Sequence, residues 1–145
     1  MNRVALFAVL LIFATTASGR LIRAWTYQEL TAASDLVLIA TPTATADTKE
    51  EAGLPGMASV RVTGVDTHFT VLTVLKGDAK LKDITVHHYR VTKGVVVDNG
   101  PMLVKFDPTD HRSFLLFLIR EADGRYAPAG GQTDPADHSV HVLNR

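Results

Sequence analysis

From Val65 onward the chain alternates apolar and polar residues with a period of two, the pattern of strands buried on one face. Over Val65 to Leu75 this sets Phe69, Val71, Thr73 and Leu75 against His68, Thr70, Leu72 and Val74, and Lys76-Gly77-Asp78 then turns the chain. Ile84 to Val91 repeats the pattern, with Ile84, Val86, His88 and Arg90 opposite Thr85, His87, Tyr89 and Val91. Two runs are apolar at consecutive positions instead: Leu36-Val37-Leu38-Ile39-Ala40, which gives way to Thr/Ala alternation through Ala46, and Phe114 to Ile119. Such a strand needs cover on both faces, so the second run is expected at the centre of a sheet. Val95 to Val97, Leu103 to Phe106 and Ser139 to Leu143 read as short strands; Asp107-Pro108 stops the second of them, and the third is expected at an edge. Asp123-Gly124 predicts a type I′ hairpin turn, returning Arg125-Tyr126-Ala127 antiparallel to the central strand.

One helix is signalled. In Trp25-Thr26-Tyr27-Gln28-Glu29-Leu30, Thr26 and Glu29 stand at capping-box spacing and Trp25 at the position that staples onto Leu30. The helix is expected over about Tyr27 to Ser34, too short to be stable without packing on a larger body. Lys49 to Ala58, with its charges, Gly53, Pro55 and Gly56, reads as a polar, mobile loop. One short helix and five or six strands separated by turns predict a mainly β antiparallel barrel, ahead of a sandwich, with the helix capping its outer face.

Residues 1–19 follow a different rule. Arg3, the eleven apolar residues Val4 to Ala14, and Ala17-Ser18-Gly19 form the three parts of a cleaved export signal. A membrane span needs about 20 apolar residues, so no stable span is expected after cleavage near Arg20, and the location is expected to be periplasmic or secreted. The 126 residues that follow, Arg20 to Arg145, are one domain's worth. Only Arg3 among the 15 basic and 15 acidic residues lies in the signal, which leaves a net charge of −1. That balance carries no footprint for nucleic acid. The absence of cysteine rules out disulfides, thiolate zinc sites and cysteine nucleophiles.

Ala33-Ser34-Asp35-Leu36-Val37-Leu38-Ile39-Ala40, Thr70-Val71-Leu72-Thr73-Val74-Leu75-Lys76-Gly77 and Phe114-Leu115-Leu116-Phe117-Leu118 followed by Asp123-Gly124-Arg125 together resemble the netrin-like domain of tissue inhibitors of metalloproteinases and its bacterial relatives. The resemblance covers about Tyr27 to Tyr126 and implies a five-stranded OB-type barrel. The family's N-terminal, zinc-chelating cysteine is missing here, so the likeness implies fold and not inhibition. Trp25-Thr26-Tyr27, Leu75-Lys76-Gly77, Asp123-Gly124-Arg125-Tyr126 and Gly131-Gln132-Thr133-Asp134-Pro135 also resemble a set of uncharacterised exported bacterial proteins, a likeness that implies no activity.

Candidate chemistry is sparse. His87 and His88 are adjacent and His138 and His141 three apart, so on strands each pair faces opposite sides; a distant pair such as His68 with His87 or His88 can meet across neighbouring strands. No metal site or cofactor is expected. No Gly-x-Ser-x-Gly elbow supports Ser113 or Ser139 as a nucleophile. Asp107, Asp110, Asp134 and Asp137 read as turn formers, without the EF-hand spacing of a calcium loop. The candidate ligand-binding loop is Gly130, Gly131, Gln132, Thr133 and Asp134, with Tyr126 nearby, because paired glycines let backbone amides approach a ligand and the polar residues add donors and acceptors. Turn-making competes as its role. Tyr89, Arg90 and Tyr126 are also the residue types of an oligonucleotide surface, against which export and neutral charge argue. The expected function is an exported, non-enzymatic domain binding an extracytoplasmic protein or small ligand. The alternative is an enzyme or protease inhibitor whose site is assembled from distant loops.

Overall fold

A computed structural model describes residues 24–54, 57–97, 102–132 and 138–143. The expected export signal, Asp98 to Pro101, whose Asp-Asn-Gly-Pro sequence reads as a turn, and the loop candidates Thr133 and Asp134 lie outside these residues. The elements are α1 (Tyr27–Ala33), β1 (Leu36–Leu54), β2 (Met57–Lys76), β3 (Asp83–Val91), β4 (Phe114–Arg120), β5 (Tyr126–Pro128) and β6 (Val140–Val142), with a 3-10 turn at Pro108–Asp110. Among the described residues no helix is long and apolar enough to cross a membrane.

The two consecutively apolar runs pair with each other, Leu36↔Leu118 through Ala40↔Phe114. β1 also pairs along its other edge with β2, and β2 with β3. β4 continues to β5 and β6 on the edge away from β1. Five strands thus close a ring, β1-β2-β3-β5-β4 and back to β1, with β6 attached to β4. The sheet is mixed rather than antiparallel throughout, since β3 and β5 run parallel, joined at Val86↔Tyr126. Parity explains the departure. Neighbours around a closed ring can all alternate in direction only when their number is even, so a five-membered ring contains at least one parallel joint.

Inside the ring Leu38, Val86, Leu116 and Leu118 are completely buried. Phe69, Phe106 and Phe114 meet edge to face, with centroids 4.8 Å apart for Phe69–Phe106 and 5.3 Å for Phe106–Phe114, the favoured geometry for the ring quadrupoles. The outer face of β4 is covered as its sequence requires: Phe117 packs with Val37 and with Leu30 of α1, and Trp25 closes over them. The capping box of α1 forms, the Thr26 hydroxyl accepting from the Glu29 amide at 3.2 Å and the Glu29 carboxylate from the Thr26 amide at 2.9 Å. No basic residue lies in the last turn of α1. Lys76 of β2 supplies that charge, donating from Nζ to the Thr31 and Ser34 carbonyls at 2.7 and 2.5 Å, where a helix end favours a cation.

Three local expectations are corrected. Lys49 to Leu54 is not loop but the continuation of β1, and β2 begins at Met57, so the hairpin runs almost to its tip. Leu54, Val60 and Val62 build a second small core there with Tyr89, Val91 and Leu103, which supplies the burial that the charged residues concealed. Val95 to Val97 and Leu103 to Phe106 are not strands, and only Leu103 makes a bridge. Leu103 instead joins the outer core while Val104 and Phe106 join the inner one, wrapping the segment around the β3 edge. The β4–β5 turn is not type I′: Gly124 has φ +91, but Asp123 is not in the positive region that type I′ demands. The Gly124 amide donates to the Glu121 carbonyl and the Glu121 amide to the Arg125 carbonyl, a three-residue loop with glycine at its left-handed position.

Candidate functional site

Adjacent histidines on β3 build two unlike environments, because successive side chains leave a strand on opposite faces. His88 turns into the ring. Its Nε2 lies 2.8 Å from the Thr67 hydroxyl, which lies 2.9 Å from that of Thr45, and its ring stands edge-on to Phe106 at 5.1 Å. Burial pushes His88 down to about 4, with the Val104 backbone acting in the opposite sense. No hydrogen bond of good geometry reaches its buried Nδ1. His88 is a neutral imidazole near neutral pH.

Beyond His88 the inner face opens into a cavity of about 520 Å³. Val65, Val91, Leu103, Val104 and Phe106 give it apolar walls, and Ala46 leaves room on the β1 side. Its polar lining residues are Thr45, His88, Tyr89, Lys105 and the pair Asp47–Arg90, in which Arg90 Nε donates to Asp47 Oδ1 at 2.7 Å. The Arg90 hydrogen bond holds the Asp47 carboxyl below its ordinary value. Apolar walls around a few placed polar groups, at this volume, are the anatomy of a small-molecule site.

His87 turns outward, yet only 3% of it is exposed. Three segments cover it. Glu121, at the end of β4, approaches Nδ1 with both carboxylate oxygens, at 2.9 and 3.1 Å. Glu50 of β1 places Oε2 3.2 Å from Nε2, within reach but out of hydrogen-bond alignment. Tyr89 donates a short hydrogen bond to Glu50, and burial together with that carboxylate pushes its phenol up to about 12. Arg125 spans the cluster, 2.8 Å from Asp66 and 2.7 Å from Asp123.

Glu50 arrives there through an irregularity in the ladder. Between Asp47↔Val65 and Glu51↔Thr63, β1 sets three residues, Thr48 to Glu50, against the single Gly64 of β2, a bulge of two extra residues that re-aims the side chains between. Gly64 makes room for it, since a Cβ there would stand 2.6 Å from Thr48 Oγ1 and 3.1 Å from Glu50 Cβ.

Of the described residues of the candidate loop, Gln132 reaches this cluster, and Gly130 and Gly131 are held by turn contacts. Gly130 lies under Ser139, its amide donating to Ser139 Oγ at 2.6 Å, and a Cβ would strike that oxygen. Gly131 has φ +96 and donates to the Pro128 carbonyl, as a tight turn requires. Gln132 reaches furthest, donating to the His87 carbonyl at 3.2 Å. Tyr126 packs against the inner core, and Tyr89 and Arg90 leave opposite faces of β3, so these three form no common stacking surface. His68 pairs with Thr85, two rungs from His87, and does not meet it or His88. His141 bonds the His138 carbonyl and stacks near Tyr27. Among the described residues no three histidine or carboxylate side chains converge to hold a metal ion. Sequence reading missed Asp47, Glu50 and Glu121, whose roles arise from a bulge and from ring closure that no spacing announces. Comparison with protein-family models gives no match, and neither does a search of curated proteins.

Proposed function

We propose that this chain is an exported, non-enzymatic OB-like barrel that binds a small, mostly apolar molecule at one end of its ring. The single observation that carries the reading is the cavity of about 520 Å³, with apolar walls and the buried His88 imidazole in its lining. A few polar groups set in apolar walls fix the orientation of a small bound molecule, and His88 with the Asp47–Arg90 pair would supply them here. Five strands in a ring and a helix over one face agree with the barrel of the netrin-like resemblance. Export rests on the pattern of residues 1–19.

The test is uptake of a fluorescent apolar probe, anilinonaphthalene sulfonate, by the folded protein, compared with an Ala46→Trp variant that fills the cavity from its exposed β1 wall. Saturable binding by the parent, weakened at least about tenfold in the variant while the fold is retained, supports the reading. Equal binding by both places the probe elsewhere and removes the support.

A further inference from the structure

The cluster on the outer face contains a proton-counting problem. Glu121 stands 2.9 Å from His87 Nδ1 and Glu50 3.2 Å from Nε2. A neutral imidazole has one N–H and one lone pair. It can donate to one of these carboxylates only while presenting its lone pair to the other. The imidazolium, with two N–H groups, serves both.

We infer that His87 is a proton-operated latch, which as imidazolium ties the β1 bulge at Glu50 to the β4–β5 turn at Glu121 and on losing a proton lets the Glu50 side go. Glu121 keeps its contact, because it meets Nδ1 with both oxygens, whereas Glu50 is not aligned with Nε2. The surroundings are accounted for element by element. β1 contributes Glu50; β2 contributes Asp66, opposite His87 in register and occupied by Arg125. β3 adds Tyr89, which donates to Glu50, and His88 on the other face. The β4–β5 turn adds Glu121, Asp123 and Arg125, the last within 3.9 Å of Glu50 and 3.7 Å of Glu121. Tyr126 of β5 faces the inner core, and Gln132 reaches the His87 carbonyl rather than its ring. Arg125 tempers the repulsion that remains once the ring is neutral, so release is local rather than an unfolding.

The latch adjoins the cavity. Asp47, where the bulge begins, and Tyr89, which holds Glu50, both line it. Loosening the bulge therefore loosens one cavity wall, a consequence that rests on the binding reading above, whereas the latch itself does not.

The experiment follows the His87 ring nitrogens by NMR and amide exchange at Thr48, Lys49 and Glu50 by mass spectrometry, from about pH 5 to about pH 8, where histidine changes charge. The expected result is a ring protonated on both nitrogens at the acid end, losing the Nε2 proton toward the other. Exchange, corrected for its intrinsic pH dependence, rises roughly tenfold in step. Glu50→Gln offers Nε2 an amide that can donate to a lone pair, and Glu121→Gln does the same at Nδ1; in each the corrected exchange is flat. A ring that keeps one protonation state across the range overturns the inference, as does exchange that ignores the ring's titration or a pH dependence that survives in both variants. Anilinonaphthalene sulfonate uptake, measured over the same range, separates the two readings. Uptake at no pH defeats the cavity reading and leaves the exchange data to decide the latch.

Discussion

Gly64 carries more of the site than any residue that contributes a side chain to it. Its missing Cβ is the space into which Thr48 and Glu50 fold, so Gly64→Ala must either push the bulge outward or strain β2. A loss of about 1–3 kcal/mol in chemical unfolding is expected, in the range of overpacking, and Thr48→Ala in the same chain should return part of it by removing the nearer atom. Lys76 acts at comparable scale. It ends β2 yet completes a helix that lacks a terminal cation of its own, so Lys76→Met should cost about 1 kcal/mol through a lost charge-assisted hydrogen bond and helix-end interaction. A thermal midpoint unchanged by this substitution would show that the helix end is satisfied by water.

At the level of elements, β4 shows what was legible and what was not. Six consecutive apolar residues, Phe114 to Ile119, announced a strand covered on both faces, and α1 with Leu30 and Trp25 provides the outer cover. Phe117, 3% exposed at that junction, should lose about 3–5 kcal/mol on truncation to alanine by transfer and cavity terms. A parent-like unfolding midpoint would mean that α1 does not depend on β4. The same reading failed for Lys49 to Leu54 because charge and breakers were weighed locally, whereas that segment is held by pairing with residues of β2 and by Leu54 alone on its buried side. It succeeded for His87 and His88, since opposition of neighbours is a property of any strand. It stopped there, because the partners of His87 come from positions 34 and 37 residues away, Glu121 and Glu50. The glycines of the proposed loop were visible, but the turn that Gly131 makes and the close approach of Gly130 to Ser139 account for both without a ligand.

For the whole molecule, His88 couples stability to acid. Its folded value of about 4 lies below the ordinary 6.5, so between those values the unfolded chain binds more protons and stability falls as pH falls. The loss begins near pH 6.5 and reaches on the order of 3 kcal/mol by pH 4. The carboxyls of Asp47, Asp107 and Asp123, all held below 3.8, add their own loss only at still lower pH. His88→Leu, which leaves Thr67 its Thr45 partner, should flatten the upper window in a pH series of urea unfolding and leave the lower one. A parent-like slope between pH 6.5 and 4 in that variant would assign the acid sensitivity to other groups.

The parallel joint in the ring has a mechanical meaning. Everywhere else the wall is stitched by a ladder, but β3 and β5 share one rung, Val86↔Tyr126. Side chains do the fastening that backbone omits: Glu121 onto the His87 ring, Gln132 onto the His87 carbonyl, and Arg125 across β3 to Asp66. The ring of strands is then a bracelet with a polar clasp. Arg125→Met should speed exchange most at the β3 amides that point away from β2, while those bonded to β2 stay protected. Such an opening exposes the interior from the side without disturbing the β1–β2 hairpin. Salt that screens the clasp should therefore speed that exchange before it touches the fold.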